Sequence, residues 1–351
     1  MDVNKVINEF ALSSEMTSYR PLGNGLINTT FLIITKDGNK YVLQRINTEA
    51  FKNVDGLMSN IYEVTSFLLK KGQKTLEIIK TKDNKLYFEC EEGCFRVYKY
   101  IDIAVTYEGV SDLNIVYKAA KAFGELHKTL KEYDGPSLVE TIPHFHDTKK
   151  RYQNFLNAIK EDNHQRVESC LKEIESIKKY QNEYSKVVDG IKEGRVSNAV
   201  THNDPKINNV MFDKETGDFV AVIDLDTIMP GSYLYDFGDA LRSLFTGEYE
   251  DSKDLSKINI KYDVFEAYVK GYLEEMKDAL TEYEKELLSF SAFLMTIEVA
   301  MRFLEDYLRG DVYFHTEYPE HNLVRARTQI KLANEIYQSF DKLNLIVKKY
   351  L

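Results

Sequence analysis

The sequence predicts an α+β protein in two lobes: a small N-terminal lobe built on an antiparallel sheet, and a larger, mainly helical C-terminal lobe. Three observations carry this. Up to about residue 101, short β-branched and aromatic runs alternate with glycine-bearing turns. From Ser111 onward, apolar residues recur mostly at helical spacing. One stretch, 201–227, breaks that helical run with two short apolar segments around Lys214-Glu-Thr-Gly217, a good hairpin connection because glycine accepts positive φ. The expected division is residues 1–101 and 102–351, and 351 residues suffice for two cores.

In the N-terminal lobe, Val3, Val6, Ile7 and Phe10 predict a short amphipathic helix over 2–12. Strand, glycine loop, strand, turn, strand follow. The glycine loop is 21–28, with Gly23 and Gly25; strands are expected over 29–35 and 40–46, joined at Asp37-Gly38. Leu57, Ile61, Val64, Phe67 and Leu68 mark a helix over 54–71 that carries Glu63 and is closed by Gly72. Strands over 86–90 and 94–101 flank a turn at Glu91-Glu-Gly93, and Tyr100 and Ile101 lead out of the lobe.

In the C-terminal lobe, Ser111 with Asp112 opens a helix through Leu130, with Ala119, Ala122, Phe123 and Leu126 on its buried face. Pro136, Pro143 and His144-Phe-His146 read as a connecting loop, and its two histidines are not expected to hold a metal. Two helices are expected over 147–190, another from Asp236 and Asp239, and three more over 262–276, 283–309 and 322–348. Arg302 lies in an otherwise apolar segment and needs a partner, either Glu298 four residues earlier or a ligand.

The chemistry concentrates in 201–242. His202-Asn-Asp204 is followed five residues after the aspartate by Asn209; the hairpin then ends at Asp224-Leu-Asp226. Phosphoryl transfer needs one carboxylate to orient an attacking hydroxyl and take its proton, plus hard oxygen ligands for Mg²⁺ on the nucleotide phosphates. Protein kinases draw these from a loop H-R-D-L-x-x-x-N and a later aspartate in D-F-G. Asp204 and Asn209 keep the same aspartate-to-asparagine spacing, and Asp224 follows at hairpin distance. Asp204 is the candidate base, Asn209 and Asp224 the candidate metal ligands, and Asp226 a helper. Taken singly each would as soon cap a turn or end a strand; the ordered set is specific. His202 is expected to pack and hold the loop. No G-x-x-x-x-G-K-[ST] motif occurs, which excludes the Walker-type template.

These motifs resemble the aminoglycoside phosphotransferase and choline kinase superfamily, whose loops read H-x-D-x-x-x-x-N and I-D-x-x. More narrowly the chain resembles the N-acetylhexosamine 1-kinases, through Thr201-His-Asn-Asp204, Val222-Ile-Asp-Leu-Asp-Thr227, Met229-Pro-Gly231, Tyr235-Asp-Phe-Gly-Asp239, Gly23-Asn-Gly-Leu-Ile-Asn28, Val42-Leu-Gln-Arg-Ile-Asn47, Ile142-Pro-His-Phe-His-Asp-Thr148 and 301–313. The resemblance implies a bilobal, protein-kinase-like fold with ATP between the lobes. It implies a loop at Gly23 and Gly25 over the phosphates, and adenine at Tyr100 and Ile101. Protein kinases place a lysine on the third strand; here stand Gln44 and Arg45, and either fills the position, although strict alternation puts them on opposite faces. Glu63 is the expected partner of that strand cation. Asp236 is expected to brace the catalytic loop, and Asn28, Arg302 and Tyr313 to contact the sugar. Leu26 and Thr29 stand where the hexosamine kinases carry histidine and aspartate, which leaves the acceptor open.

The expectation is an ATP- and Mg²⁺-dependent kinase acting on a sugar hydroxyl, foremost the anomeric hydroxyl of an N-acetylhexosamine. The runner-up acceptor is an aminoglycoside or amino alcohol such as choline. The rival class is a non-catalytic binding protein of the same fold, which would lack Asp204, Asn209 or Asp224. A net charge of −10 argues against nucleic acid as a partner. Cys90, Cys94 and Cys170 give no disulfide framework and read as reduced thiols. The N-terminus shows no signal-peptide pattern and no window is expected to reach the ~20 apolar residues of a membrane span, so a cytoplasmic monomer or weak homodimer is expected.

Overall fold

The computed structural model describes residues 2–23, 28–107, 112–135, 137–245 and 250–351; Gly25, Leu26, Ser111 and Pro136 lie outside them. In chain order the elements are α1 (Val3–Ile7), β1 (Met16–Pro21), β2 (Thr29–Thr35), β3 (Lys40–Ile46), α2 (Val54–Lys70), β4 (Ile78–Ile79), β5 (Phe88–Cys90), β6 (Gly93–Lys99), β7 (Ala104–Val105), α3 (Leu113–Leu130), α4 (Thr148–Glu161), α5 (Leu171–Lys178) and α6 (Lys186–Lys192). Then come β8 (Ala199–Thr201), β9 (Val210–Asp213), β10 (Phe219–Val222), β11 (Met229–Gly231), α7 (Tyr233–Leu244), α8 (Tyr262–Met276), α9 (Glu282–Leu308), α10 (His321–Gln338) and α11 (Phe340–Lys348). The α+β class is as expected. The division into units is not one cut near residue 101. Met1–Thr106, Thr129–Pro143 and Asn209–Pro230 form one compact unit; Tyr107–Lys128, His144–Asn208 and Gly231–Leu351 form the other.

The first unit holds an antiparallel sheet in the order β1-β2-β3-β6-β4, with β5 also on β6. Val3, Val6, Ile7 and Phe10 pack on Ile33, Tyr41, Leu43, Phe95 and Val97, so one face is closed by α1 and the turn after it. α1 is shorter than expected: Asp2 caps it by accepting from Lys5 N at 3.2 Å, and Phe10 already bridges to Thr81. The other face aligns Thr30, Gln44 and Arg96 across β2, β3 and β6. α2 ends as expected at Gly72 (φ 78°), with Gln73 N donating to Leu68 O at 3.0 Å. The β9–β10 hairpin gains β7 as a third strand, a two-residue element too short to show a period.

In the second unit α7, α4 and α10 pack on the long α9. A Cβ at Gly238 would lie 2.3 Å from Ser291 O, so glycine lets α7 approach α9 closely. A Thr281–Glu284 capping box starts α9. By length and composition α9 is apolar enough to cross a membrane, which the sequence reading missed; 94% of its apolar window is buried in the structure, so packing consumes that surface. Two further corrections concern helix number. The stretch from 147 forms three α-helices: Asp162 (φ 37°) ends α4, and consecutive turns such as Gln181 N to Lys178 O at 3.1 Å and Glu183 N to Tyr180 O at 2.9 Å separate α5 from α6. The expected helix over 322–348 breaks at Ser339, whose hydroxyl meets Tyr262 OH at 3.0 Å.

Candidate active site

In the second unit, β8 runs into His202-Asn203-Asp204. The buried carboxylate of Asp236, at the start of α7, organises this loop. Its Oδ2 accepts from His202 N and its Oδ1 from Asn203 N, both at 2.7 Å, and Oδ2 lies 2.7 Å from His127 Nε2. His127 in turn meets Tyr272 OH at 2.9 Å through Nδ1. These bonds turn the loop through Asn203, whose φ is 63°, a conformation a non-glycine residue keeps only under constraint. Asn203 is further tied to Thr201, with Nδ2 donating to Thr201 O at 3.0 Å. His202 is fully buried, edge-on to Phe123, and its Nδ1 accepts from Asp204 N at 3.2 Å. Asp204 itself is part-exposed, with Lys206 Nζ 2.9 Å from its Oδ1.

A second buried pair supports the same loop. His146 Nδ1 is 2.8 Å from Glu298 Oε1, and its Nε2 is 3.1 Å from Asn203 O. Burial alone would lower the imidazole pKa; Glu298, with help from Asp239 and the Asn203 carbonyl, outweighs it and holds His146 above its ordinary value. Protonated, the ring donates to both neighbours. Glu298 is therefore the partner of His146, not of Arg302. Arg302 makes no ion pair among the described residues; its guanidinium lies 5.1 Å from the Phe145 ring centre, 5.6 Å from Phe314 and 5.9 Å from Tyr313. Tyr313 is 62% exposed. Asp306 shapes this corner by accepting from Val312 N (3.0 Å), Tyr313 N (2.8 Å), Phe314 N (3.0 Å) and Asn322 Nδ2 (2.9 Å).

In the first unit, the β9–β10 hairpin brings Asn209 and Asp224 to one end. Val210 pairs with Val222, and Ile223 N donates to Asn209 O at 2.8 Å. Asp224 adopts φ 61°, ψ 53°, left-handed for a non-glycine residue, and opens a single 3₁₀ turn, Leu225–Thr227. Asp226 differs from expectation. It is buried, with Oδ1 in ion-pair contact with Arg96 Nη1 at 2.5 Å and Oδ2 accepting from Asn28 Nδ2 at 2.7 Å. Both its oxygens are engaged within the fold. Asn28, expected on the substrate, braces the chain instead: its Oδ1 accepts from Asn47 N at 3.0 Å.

Gly23 has φ 71°, a turn conformation that suits glycine; residues 24–27 of its loop, Gly25 among them, lie outside the described residues. Gln44 and Arg45 do occupy opposite faces. Gln44 donates to Thr30 Oγ1 (3.1 Å) and accepts from Arg96 Nε (3.0 Å). Arg45 is exposed beside Gly93, where a Cβ would lie 2.8 Å from its Nε. Glu63 meets no strand cation among the described residues, because the buried cation sits on β6 and pairs with Asp226. α2 reaches the segment after Asp224 through Asn60, whose Nδ2 donates to Ile228 O at 2.9 Å and Val139 O at 2.8 Å. Tyr100 N donates to Lys40 O at 3.1 Å, and Ile101 packs on Ala104, Val220 and Ala221.

Asn209 and Asp224 offer hard oxygens and no soft ligand, a donor set that fits Mg²⁺. Among the described residues no group of three His, Cys, Asp or Glu forms a cage. Mg²⁺ on a nucleotide takes one or two carboxylates and completes its shell with phosphate and water, so a sparse set is what it uses. Sequence reasoning missed Arg96, Asn60 and Asp306. Arg96 had one usable signal, an arginine inside the otherwise apolar run 94–98.

A protein-family model described as a phosphotransferase enzyme family, APH, matches residues 18–275, well over half of the chain. Among solved structures the chain is similar to an aminoglycoside phosphotransferase from Alicyclobacillus acidocaldarius, at 13% identity over 99% of this chain and 97% of that one, TM-score 0.60. It is similar to a microcompartment-associated aminopropanol kinase at 14% identity over 97% and 98%, TM-score 0.60. It is also similar to the amicoumacin kinase hAmiN, solved with AMP-PNP and Ca²⁺, at 13% identity over 90% and 88%, TM-score 0.57. These likenesses establish the protein-kinase-like fold.

Proposed function

This chain belongs to the APH phosphotransferase enzyme family, and from that premise we propose that it transfers the γ-phosphoryl group of ATP to a sugar hydroxyl, foremost the anomeric hydroxyl of an N-acetylhexosamine. The observation that carries the reading is Asp204: a part-exposed carboxylate at the tip of a loop fixed by the buried Asp236 and His146. Asp204 orients the acceptor hydroxyl and accepts its proton as the new O–P bond forms and the bond from the γ-phosphorus to the β–γ bridging oxygen breaks, releasing ADP. Lys206 supplies a neighbouring positive charge. Asn209 and Asp224 hold Mg²⁺, which when bound neutralises phosphate charge.

The acceptor rests on the corner around Arg302. Arg151 lies close to Arg302: burial, then the Arg302 charge, lower its pKa, and its guanidinium donates to Phe145 O at 2.9 and 3.0 Å. Two guanidinium groups flanked by Phe145, Phe314 and exposed Tyr313 favour a neutral polyol with ring faces to pack on, and repel a cationic amine. The amino-alcohol and aminoglycoside reading draws its support from the activities in the names of similar structures. We place the protein in the cytoplasm, where ATP is abundant and its three free cysteines stay reduced.

A coupled ADP-release screen over N-acetylhexosamines, hexoses, choline and aminoglycosides tests this. Turnover is expected with N-acetylglucosamine or N-acetylgalactosamine. Turnover confined to amines overturns the acceptor, and no acceptor-dependent ADP release from any compound overturns the kinase reading.

A further inference from the structure

The buried cation of the sheet has no place in the reaction as described so far. Arg96, on β6, is 1% exposed, so it cannot itself reach a phosphate in solvent. Its guanidinium is fixed on three sides: Nε donates to Gln44 Oε1 at 3.0 Å, the group lies 5.2 Å from the Tyr98 ring centre, and Nη1 contacts Asp226 Oδ1 at 2.5 Å. Gln44 is fixed in turn by Thr30. This accounts for glutamine on the third strand: a lysine there would face Arg96 with a like charge, whereas the amide oxygen accepts from it.

Through Asp226 the grip of Arg96 reaches one loop. Asp226 lies two residues past Asp224, in the turn that Asp224 opens. That turn is pinned from four directions: Arg96 and Asn28 on the Asp226 carboxylate, Thr141 Oγ1 on Asp226 O at 3.3 Å, and Asn60 Nδ2 on Ile228 O at 2.9 Å. A left-handed aspartate persists only where its surroundings over-determine it. We propose that Arg96 is a positioning residue for the metal loop: through Asp226 it holds Asp224 in the left-handed conformation that presents its carboxylate to the nucleotide's metal ion. The inference rests on Asp224 as a metal ligand, and adds that metal affinity is set from the sheet through the Arg96–Asp226 pair.

The test is a thermal-shift titration of Mg²⁺ at fixed AMP-PNP on the full chain, with the unfolding temperature of the ligand-free protein recorded alongside. In Arg96→Met the Mg²⁺ concentration giving half-maximal stabilisation is expected to rise ~10–100-fold, the scale for groups that orient a metal ligand. Arg96→Met/Asp226→Leu removes the buried unpaired charge, so its ligand-free unfolding temperature recovers while the raised Mg²⁺ requirement stays. Arg96→Lys, which keeps the charge without the planar fork, shows a smaller rise and serves if Arg96→Met does not fold. An unchanged Mg²⁺ midpoint in these variants beside a responsive wild type overturns the inference alone. Recovery of both quantities in the double variant also overturns it, by showing that only charge balance mattered. A wild type with no Mg²⁺-dependent shift overturns the metal-ligand reading beneath it as well.

Discussion

Replacing Asp236 by asparagine probes the loop that presents the candidate base. The aspartate accepts three bonds at 2.7 Å in a site 1% exposed, two of them from the backbone N–H groups of His202 and Asn203. Asparagine keeps one oxygen. Whichever way the amide turns, its NH₂ must face one of those N–H groups, leaving a buried donor opposite a donor. His127 adapts by changing tautomer; the backbone cannot. One charge-assisted bond lost and one buried N–H left unsatisfied together cost about 2–5 kcal/mol. At roughly 2 °C per kcal/mol for a chain of this size, the unfolding temperature should fall by about 4–10 °C. Asn203, held at φ 63° by these bonds, should relax and carry Asp204 with it. A displacement near 1 Å lowers kcat by about 10²-fold. Differential scanning fluorimetry and steady-state ADP release read the two effects. An unfolding temperature within about 1 °C of wild type together with an unchanged kcat would refute the bracing argument.

Two further predictions concern the same loop. Gly231→Ala places a Cβ 2.3 Å from Thr201 Oγ1 and 2.6 Å from Asn203 Oδ1, so it should destabilise by about 1–3 kcal/mol and lower kcat, measured by denaturant unfolding and ADP release. His146 is held above its ordinary value of 6.5, so the stability it contributes is complete below about pH 6 and disappears as pH rises through the folded-state value. His146→Gln should therefore destabilise most at about pH 6 and progressively less toward alkaline pH, and parallel curves for the two proteins in pH-resolved thermal unfolding would contradict the raised value.

What the sequence disclosed was local. Asp204, Asn209 and Asp224 stand out as candidates because their spacing is short and a hairpin signal lies between them; the structure ties Asn209 to the residue beside Asp224 by one backbone bond. Gln44 and Arg45 separated onto two faces because strand alternation admits nothing else. The supports were hidden because their partners are remote: Asn60 and Ile228 are 168 residues apart, His146 and Glu298 152, His127 and Asp236 109. Local periodicity says nothing about such pairs, which is why the sequence offers Glu298 or a ligand to Arg302 and Asp226 to the metal. The break at Ser339 escaped for the opposite reason, since the apolar repeat runs on past it and only the backbone turns. Two-residue strands such as β4 and β7 carry no alternation to read.

In the proposed reaction Asp204 takes the acceptor's proton during phosphoryl transfer. Asp204→Asn is compared with wild type in single-turnover ADP formation on the acceptor found by the screen. The rate should fall at least ~10²-fold, the scale of general-base help, while the Mg²⁺–AMP-PNP thermal shift and the unfolding temperature stay at wild-type values. A single-turnover rate equal to wild type would contradict the claim.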